Sequence, residues 1–224
     1  MQEQSKLYVV FGATGRTGKE VLPRLLAAGH LVRAYVRHPE KIHLHHDRLE
    51  IVKGDIRDVQ SVKDSLVGAF AVISMVGHAL GDRTYKGGLL LPFIKALHTG
   101  MKKHNVKRLL VQSGAMAVTK NEPFSLFKRV LLRQLISRLI GDHGVHVDND
   151  EVLSYLENNG NDIDWIVTRP PTIVEDSTEQ RKVAAFHKMP FPPKVTFHGL
   201  AIYTLEAINN DALIHTAKYC GFEK

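Results

Sequence analysis

The chain has 224 residues, of which 44% are hydrophobic and 24% are charged, as is typical of a soluble globular protein with one sizeable core. The single cysteine excludes an internal disulfide and favours a reducing compartment, the cytoplasm. The net charge is +7, but the basic residues form no tail and no pattern with aromatic residues, so nucleic-acid binding is not expected. The polar residues 1–5 predict no signal peptide, and no apolar run approaches the about 20 residues of a membrane-spanning helix.

The first predicted strand, Leu7 to Phe11, leads into a glycine-rich turn. Glycines stand at positions 12, 15 and 18, and residues 19–28 have the pattern of a helix. Such a turn binds phosphate, because bare backbone and the positive end of the helix dipole meet there. We expect Gly12 to make the turn, Gly15 to admit a pyrophosphate, and Gly18 to let the helix pack on the strand.

The end of the second predicted strand, Leu31 to Val36, selects the cofactor. An NAD site usually carries an acid there for the ribose 2′-hydroxyl, whereas this chain carries Arg37, with Lys41 shortly after it. A guanidinium pairs well with a phosphate dianion, so NADPH is predicted over NADH. Arg16, inside the glycine loop, is a second candidate for the same phosphate. The alternative for Arg37 is an exposed surface charge.

A histidine cluster follows, at His43, His45 and His46. A metal site would need further ligands, and only Asp47 lies close by in the sequence. We therefore predict a solvated loop and no metal.

The third strand is predicted at Leu49 to Val52 and is followed by Asp55 and Ile56. Asp55 either binds the adenine amino group, with Ile56 against the ring, or serves as a turn or capping aspartate. Both interpretations stay open. A short helix to about residue 67 follows, with Asp58 or Ser61 as its N-cap.

The fourth strand, residues 69–76, is apolar for most of its length, as a central parallel strand should be. Gly77 at its carboxyl end would let the backbone approach the nicotinamide ribose. A long helix is predicted over residues 89–105 and a fifth strand over 107–112. Ser113 ends that strand, and its hydroxyl either satisfies the strand terminus or faces a ligand.

The spacing of the apolar residues in 124–140 predicts an amphipathic basic helix. This segment, within a candidate insertion at 124–146, would be a lid, a dimer helix, a membrane-surface helix or a helix packed on its own domain. Asp148 or Asn149 is predicted to cap the next helix. A sixth strand is predicted at 163–168, and residues 173–193 are expected to form a substrate loop.

The last predicted elements are a short strand at 194–197, a helix at 200–208 and a strand at 214–219. Strands and helices thus alternate along the whole chain. This alternation predicts an α/β fold with a doubly wound, mostly parallel, Rossmann-like sheet in one domain over residues 1–224. We expect a monomer or homodimer with a small-molecule substrate.

Six segments together resemble the atypical short-chain dehydrogenase/reductase superfamily, in its NAD(P)H-binding branch. Within that branch the chain is most similar to the biliverdin-IXβ reductase/flavin reductase group. The matching segments are FGATGRTG at 11–18, AYVRHPEK at 34–41, VKGDIRD at 52–58, VISMVG at 72–77, VQSGA at 111–115 and DWIVTRPPTI at 164–173.

The resemblance implies a role for each matching position. Ser113 would lie beside the nicotinamide and the substrate, as the candidate catalytic residue. The implied NADP(H)-binding residues are Gly12, Thr14, Gly15, Arg16 and Thr17 at the pyrophosphate, Arg37 and Lys41 at the 2′-phosphate, Asp55 and Ile56 at adenine, Val76 and Gly77 near the ribose, and Pro170, Pro171 and Thr172 along the far wall.

The chain departs from the family pattern in its proton donor. None of the tyrosines at 35, 85, 155, 203 and 219 has a lysine four residues later, and Glu151 stands near where that lysine is expected. Thr172 also replaces a histidine of the flavin/biliverdin reductases. Without the Tyr-x-x-x-Lys pair, a substrate must accept hydride without a strong enzyme acid.

The predicted function is therefore an NADPH-dependent oxidoreductase acting on a planar conjugated acceptor of the flavin, quinone or tetrapyrrole type. The alternative is a catalytically idle NADP(H)-binding regulator or assembly factor, similar to the NmrA-like members of the superfamily.

Overall fold

The computed structural model describes residues 5–77, 85–119, 143–176 and 178–223. The strands are β1 (Leu7–Phe11), β2 (Leu31–Val36), β3 (Leu49–Lys53), β4 (Ala71–Ser74), β5 (Arg108–Gln112), β6 (Asp164–Arg169), β7 (Thr172–Val174), β8 (Val183–Phe186), β9 (Lys194–Thr196) and β10 (Thr216–Phe222). The helices are α1 (Arg16–Ala27), α2 (Val59–Asp64), α3 (Leu90–His104), α4 (His143–Asn159) and α5 (Phe197–Ile208).

Eight strands form one sheet in the order β3-β2-β1-β4-β5-β6-β10-β8, and β7 pairs with β9 in a separate two-stranded sheet. All neighbours in the large sheet are parallel except β10 and β8. The chain leaves β1 in one direction to β2 and later returns to its other side at β4. The predicted doubly wound, mostly parallel sheet is confirmed, and its switch point lies between the carboxyl ends of β1 and β4.

The two faces of the sheet carry separate apolar cores. Val10 packs with residues of α1 and α5, whereas the next residue, Phe11, packs with residues of α3 and α4. Successive side chains of a strand point to opposite faces, so a strand covered on both faces is apolar throughout. This explains the continuous apolar runs of the central strands.

Several predicted boundaries were displaced. Helix α1 begins at Arg16, three residues before the predicted start, and it contains Pro23 in its interior. Strand β4 ends at Ser74 rather than residue 76, and β10 continues to Phe222 rather than ending at residue 219. The stretch 173–193 is not a single loop, because it contains most of β7 and all of β8.

The capping residues also differ from the prediction. Asp58, and not Ser61, caps α2, because its carboxylate accepts the N–H of Ser61 at 3.0 Å. The prediction for α4 was wrong: the helix begins at His143, so Asp148 and Asn149 lie inside it. Both are buried there, and Asp148 binds the backbone of another helix instead.

Cys220 is fully buried on β10, and burial raises the pKa of its thiol to about 12. The predicted helix at 124–140 lies outside the described residues. Of the helices in the described ranges, none is long and apolar enough to cross a membrane.

Candidate cofactor site and active site

The glycine loop connects β1 to α1 and lies against the residues that follow β4. Gly12 has φ = +76°, a left-handed conformation that favours glycine. A Cβ at Gly12 would lie 2.6 Å from the carbonyl carbon of Met75 and 2.9 Å from the nitrogen of Val76. The N–H of Gly15 donates to the carbonyl of Gly12 at 3.0 Å and closes the turn. Gly12 is therefore required by its conformation and by the close approach of β4.

Gly18 and Gly15 lack a side chain for different structural reasons. A Cβ at Gly18 would lie 2.3 Å from the carbonyl oxygen of Gly12, so this glycine lets α1 pack on the loop. A Cβ at Gly15 would meet only that same oxygen, at 3.1 Å, and would otherwise point into open space. Helix α1 has no acidic residue in its first turn and no side-chain N-cap. Its N-terminus can therefore accept an anion beside Gly15.

The remaining loop residues face different environments. Thr14 is half-buried and Thr17 is buried in the first turn of α1. Arg16 is exposed, and its guanidinium lies 4.5 Å over the ring of Phe197 at the start of α5. This cation–π contact directs Arg16 toward α5.

The end of β2 carries two exposed cations, Arg37 and Lys41. Neither makes an ion pair with the described part of the chain. The nearby acid, Glu40, contacts His38, with 3.0 Å between Oε1 and Nδ1, and its pKa is lowered by the Glu40 backbone, by His38 and, to a smaller extent, by Lys41. Exposed cations at the end of β2 suit a phosphate monoester on the ribose.

Arg37→Ala is expected to weaken NADPH binding by about 30- to 100-fold, because a charge-assisted hydrogen bond to phosphate contributes about 2–3 kcal/mol. NADH has no 2′-phosphate, so its affinity should change less than threefold, by about 0.6 kcal/mol at most. Fluorescence titration with both nucleotides measures the difference. Lys103→Ala, which removes an exposed cation at the end of α3, is the charge-matched control. Equal weakening of NADPH and NADH would exclude the 2′-phosphate role.

Tyr35 shapes the segment predicted to hold adenine. Its ring packs on Gly54, where a Cβ would lie 2.1 Å from the phenol oxygen, and its hydroxyl donates to the carbonyl of Asp55 at 3.1 Å. Burial raises the pKa of Tyr35, so the phenol keeps its proton. The Asp55 carboxylate accepts the N–H of Arg57 at 2.9 Å, which is a turn contact. Ile56 is half-buried beside it.

The carboxyl end of β4 is open to a ligand. Val76 is half-buried, and Gly77 is exposed with no atom within 4 Å of a Cβ built on it. Both residues lie beside Gly12, at the switch point where ligands of doubly wound sheets bind.

Unsatisfied polar atoms gather where β5 and β6 end. The Ser113 backbone N–H donates to the carbonyl of Thr168 at 2.8 Å, but its hydroxyl oxygen is buried with no hydrogen-bond partner among the described residues. The side-chain oxygens of Gln112 and Thr168, which are paired in register one position earlier, also lack a partner, but they lie on the other face of the sheet. A buried polar group without a partner costs about 1–3 kcal/mol. Such atoms mark a place where a ligand or water supplies the missing partner.

Arg169, the last residue of β6, holds the loop that follows Ser113. It is 0% exposed. Its guanidinium donates to the carbonyls of Ala115 at 3.2 Å and Ala117 at 2.5 Å, and it lies 4.1 Å over the ring of Tyr219. This role of Arg169 was not predicted from the sequence. No spacing signal reveals it, because arginine is almost never fully buried unless it is paired.

Asp148 of α4 caps a different helix. Its carboxylate accepts the backbone N–H groups of Gly88 at 2.5 Å, Leu89 at 3.3 Å and Leu90 at 3.2 Å, as well as the hydroxyl of Tyr85. These groups belong to the start of α3, whose own N-cap residue, Leu89, provides no side-chain acceptor. Asp148 therefore satisfies the first N–H groups of α3 from a neighbouring helix.

The next residues of α4 reach the loop after β5. Asp150 accepts the N–H of Val118 at 3.0 Å. The amide nitrogen of Asn149 lies 3.6 Å from a Cβ built on Gly114, so it lies against that loop. One turn of α4 thus ties together the segments that follow β4 and β5.

The predicted far wall is joined to both sides of the site. The carbonyl of Pro170 accepts the N–H of Ala115 at 3.0 Å, and the N–H of Thr172 donates to the carbonyl of Pro193 at 3.2 Å. Pro171 is half-buried and Thr172 is exposed. The wall therefore connects the Ser113 loop with residues 190–193.

Two other places hold none of the predicted site residues. A cavity of about 640 Å³ lies between α1, α5 and residues 174–176 and 179–183, and ion pairs such as Lys182 with Glu206 form part of its lining. His43, His45 and His46 are exposed. In the described ranges no three His, Cys, Asp or Glu residues converge as a metal site.

Comparison with known proteins identifies the family. The NAD(P)H-binding family matches residues 12–211. Similar solved structures include a Lactobacillus casei protein, with 17% identity, a TM-score of 0.78, and coverage of 97% of this chain and 100% of that one. ChuY, an anaerobillin reductase from Escherichia coli O157:H7, has 18% identity, a TM-score of 0.72 and 96% coverage of each chain.

A wide-type short-chain dehydrogenase/reductase from Veillonella parvula DSM 2008, in complex with NADP, has 14% identity and a TM-score of 0.71, and covers 97% of this chain and 95% of that one. At these identities the likeness shows the fold. The match to residues 12–211 covers most of the chain, including the glycine loop, Arg37 and Ser113. The chain belongs to the NAD(P)H-binding family, as the resemblance of its motifs predicted.

Proposed function

We propose that the protein is an NADPH-dependent oxidoreductase that transfers hydride to a planar conjugated acceptor of the flavin, quinone or tetrapyrrole type. The observation that carries the proposal is the row of open positions along the switch point. Gly15 and Gly77 leave bare backbone there, and the hydroxyl of Ser113 is buried without a partner among the described residues. The reductase title of ChuY and the NADP bound in the Veillonella structure support the same assignment.

Different residues of the chain bind different parts of the cofactor. The N-terminus of α1 beside Gly15 holds the pyrophosphate, and Arg37 neutralises the 2′-phosphate. Gly77, which has no side chain to intervene, lets the ribose approach the end of β4. When bound, the nicotinamide supplies the hydride. The protein contributes position and orientation, which lower the barrier by converting a bimolecular step into a unimolecular one.

The absence of a Tyr-x-x-x-Lys pair limits the chemical classes of acceptor that the protein could reduce. A carbonyl that becomes an alkoxide needs an acid, whereas a flavin, quinone or conjugated tetrapyrrole spreads the arriving charge over its ring system. Water can then supply the proton. Ser113 would orient the acceptor or that water, and Arg169 keeps the Ser113 loop in place through its bonds to Ala115 and Ala117.

Ser113→Ala is expected to lower kcat/KM by about tenfold, which corresponds to about 1.4 kcal/mol and to one lost hydrogen bond. The affinity for NADPH should stay within twofold, because the backbone N–H of residue 113 is kept. Steady-state kinetics and nucleotide titration separate the two effects. Ser154→Ala, on the exposed side of α4, is the matched control. Unchanged turnover in the Ser113 variant would remove this residue from the mechanism.

A second candidate function is a catalytically idle NADP(H)-binding regulator or assembly factor. The missing Tyr-x-x-x-Lys signature favours it, because such a protein needs the cofactor site but no proton donor. Under this proposal the Ser113 loop would contact the bound nucleotide and no substrate.

One assay distinguishes the two candidates. NADPH oxidation, followed at the nicotinamide absorbance, is measured against FMN, riboflavin, quinones and biliverdin, with NADH in parallel. Turnover that prefers NADPH supports the reductase. Tight NADPH binding without turnover on the whole panel supports the regulator. Failure to bind either nucleotide would contradict both.

A further inference from the structure

An aromatic ring stands free of the packed core beside the candidate site. Phe191, between β8 and β9, is 95% exposed, whereas the next most exposed large hydrophobic residue of the described chain, Val67, is 53% exposed. A phenyl ring left in water forgoes the burial that normally stabilises the fold. An isolated exposed aromatic residue needs no explanation by itself, so its setting decides what it can do.

The backbone on both sides of Phe191 is fixed. Pro190 packs on the backbone of Gly221, where a Cβ would lie 2.5 Å from two atoms of the proline ring. On the other side, the carbonyl of Pro193 accepts the N–H of Thr172. The prolines restrict the backbone further, because each fixes its own φ. The ring of Phe191 is therefore presented from an anchored segment.

The anchored segment 190–193 places Phe191 near the far wall of the site, at Thr172. Its Cα lies within about 8 Å of the Cα of Pro193, two residues later, since consecutive Cα atoms are at most about 3.8 Å apart. Pro193 is hydrogen-bonded to Thr172, which begins β7 three residues after the carboxyl end of β6. Ligands of doubly wound sheets bind outside such carboxyl ends.

Phe191 also lies on the same side of the sheet as Ser113. The missing side chain of Gly221, against which Pro190 packs, points to the same face as Tyr219, two residues earlier on β10. The ring of Tyr219 lies under the guanidinium of Arg169, which binds the loop after Ser113. Pro190 and the guanidinium of Arg169, which holds the Ser113 loop, therefore lie over the same face of β10.

We propose that Phe191 is a stacking residue that covers the planar ring of the acceptor from the side opposite the sheet. This proposal rests on the proposed reductase function, and it assigns the preference for planar acceptors to a residue outside the cofactor loop. Aromatic rings stack on the faces of other delocalised rings, and the interaction tolerates different ring substituents. No aspartate or glutamate occurs between Phe186 and Leu205, so the nearby segment does not repel a phosphate or carboxylate on the acceptor.

The test compares the wild type with Phe191→Ala, Phe191→Trp and Met189→Ala. Riboflavin and FMN binding to the NADP⁺-saturated protein is measured by quenching of flavin fluorescence, and acceptor KM and kcat are measured with NADPH. Phe191→Ala should weaken both flavins by about tenfold and raise KM with little change in kcat. The two flavins share one ring, so their losses should match. The tryptophan variant should restore affinity, and Met189→Ala, at the neighbouring exposed apolar residue, should resemble the wild type.

The outcomes separate this inference from the proposed function. Turnover in the wild type with unchanged acceptor affinity and KM in Phe191→Ala would overturn the stacking role and leave the reductase intact. Flavin binding that depends on Phe191, without turnover, would overturn the reductase and keep the stacking role. A Phe191→Ala protein that changes its elution in size-exclusion chromatography but not its acceptor affinity would show a contact between copies and overturn the proposal. A wild type that neither binds nor reduces any acceptor would overturn both.

Discussion

Gly15→Val is expected to weaken NADPH binding by at least about 100-fold while the protein stays folded. Gly15 has φ = −72° and ψ = 166°, an extended conformation that valine adopts readily. A Cβ there meets only the carbonyl oxygen of Gly12, at 3.1 Å. The valine methyl groups would therefore occupy the space in front of the α1 N-terminus, where the pyrophosphate must touch the backbone. Nucleotide titration and thermal unfolding of the same sample measure binding and stability separately.

Gly18→Val is the matched control, because it lies one helical turn away and fails for a different reason. Its Cβ would lie 2.3 Å from the carbonyl oxygen of Gly12 and 2.7 Å from the Cα of Ala13, so the loop or the helix must move. This variant should lose stability as well as binding. If Gly15→Val keeps its NADPH affinity, the glycine loop is not the phosphate cradle.

Asp148→Ala is expected to lower the free energy of unfolding by about 3–4 kcal/mol, since it leaves several buried donors without an acceptor. The carboxylate accepts three backbone N–H groups at the start of α3 and the hydroxyl of Tyr85. For a chain of this size the loss corresponds to a decrease in Tm of about 10 °C. Thermal and urea unfolding both measure it.

Glu151→Ala provides the comparison on the same helix. Glu151 is exposed, and its replacement should change the free energy of unfolding by less than about 0.5 kcal/mol. Asp148→Asn keeps one acceptor oxygen and should fall between the wild type and Asp148→Ala. A melting temperature of Asp148→Ala within 2 °C of the wild type, equivalent to less than about 1 kcal/mol, would contradict the capping role.

Local patterns were sufficient for the first half of the fold. Strands β1 and β2 lie where they were predicted, because each is a short apolar run bounded by turn residues. The glycine loop was predictable for the same reason: strand, turn and helix are contiguous, so the spacing of Gly12, Gly15 and Gly18 already encodes their geometry. The NAD(P)H-binding family was confirmed by its match to residues 12–211.

The long-range contacts were not predictable from these patterns. An aspartate before a helical run resembles an N-cap, but the groups that Asp148 caps lie about 60 positions earlier in the chain. The burial of Arg169 likewise depends on Tyr219, which pairs with it across the sheet. Asp55 is a third example. Its carboxylate accepts the N–H of Arg57 within a turn, and its contact with adenine stays a prediction.

The buried thiol of Cys220 bears on which electrophiles could modify this chain. Quinones alkylate thiolates, and an enzyme that binds them repeatedly risks modification by its own substrate. The chain contains one cysteine, and that residue is fully buried with its pKa raised to about 12. It is therefore protonated at neutral pH and shielded from electrophiles, since the thiolate is the reactive form. Under the proposed function, electrophilic acceptors would therefore meet no exposed cysteine thiolate of this chain.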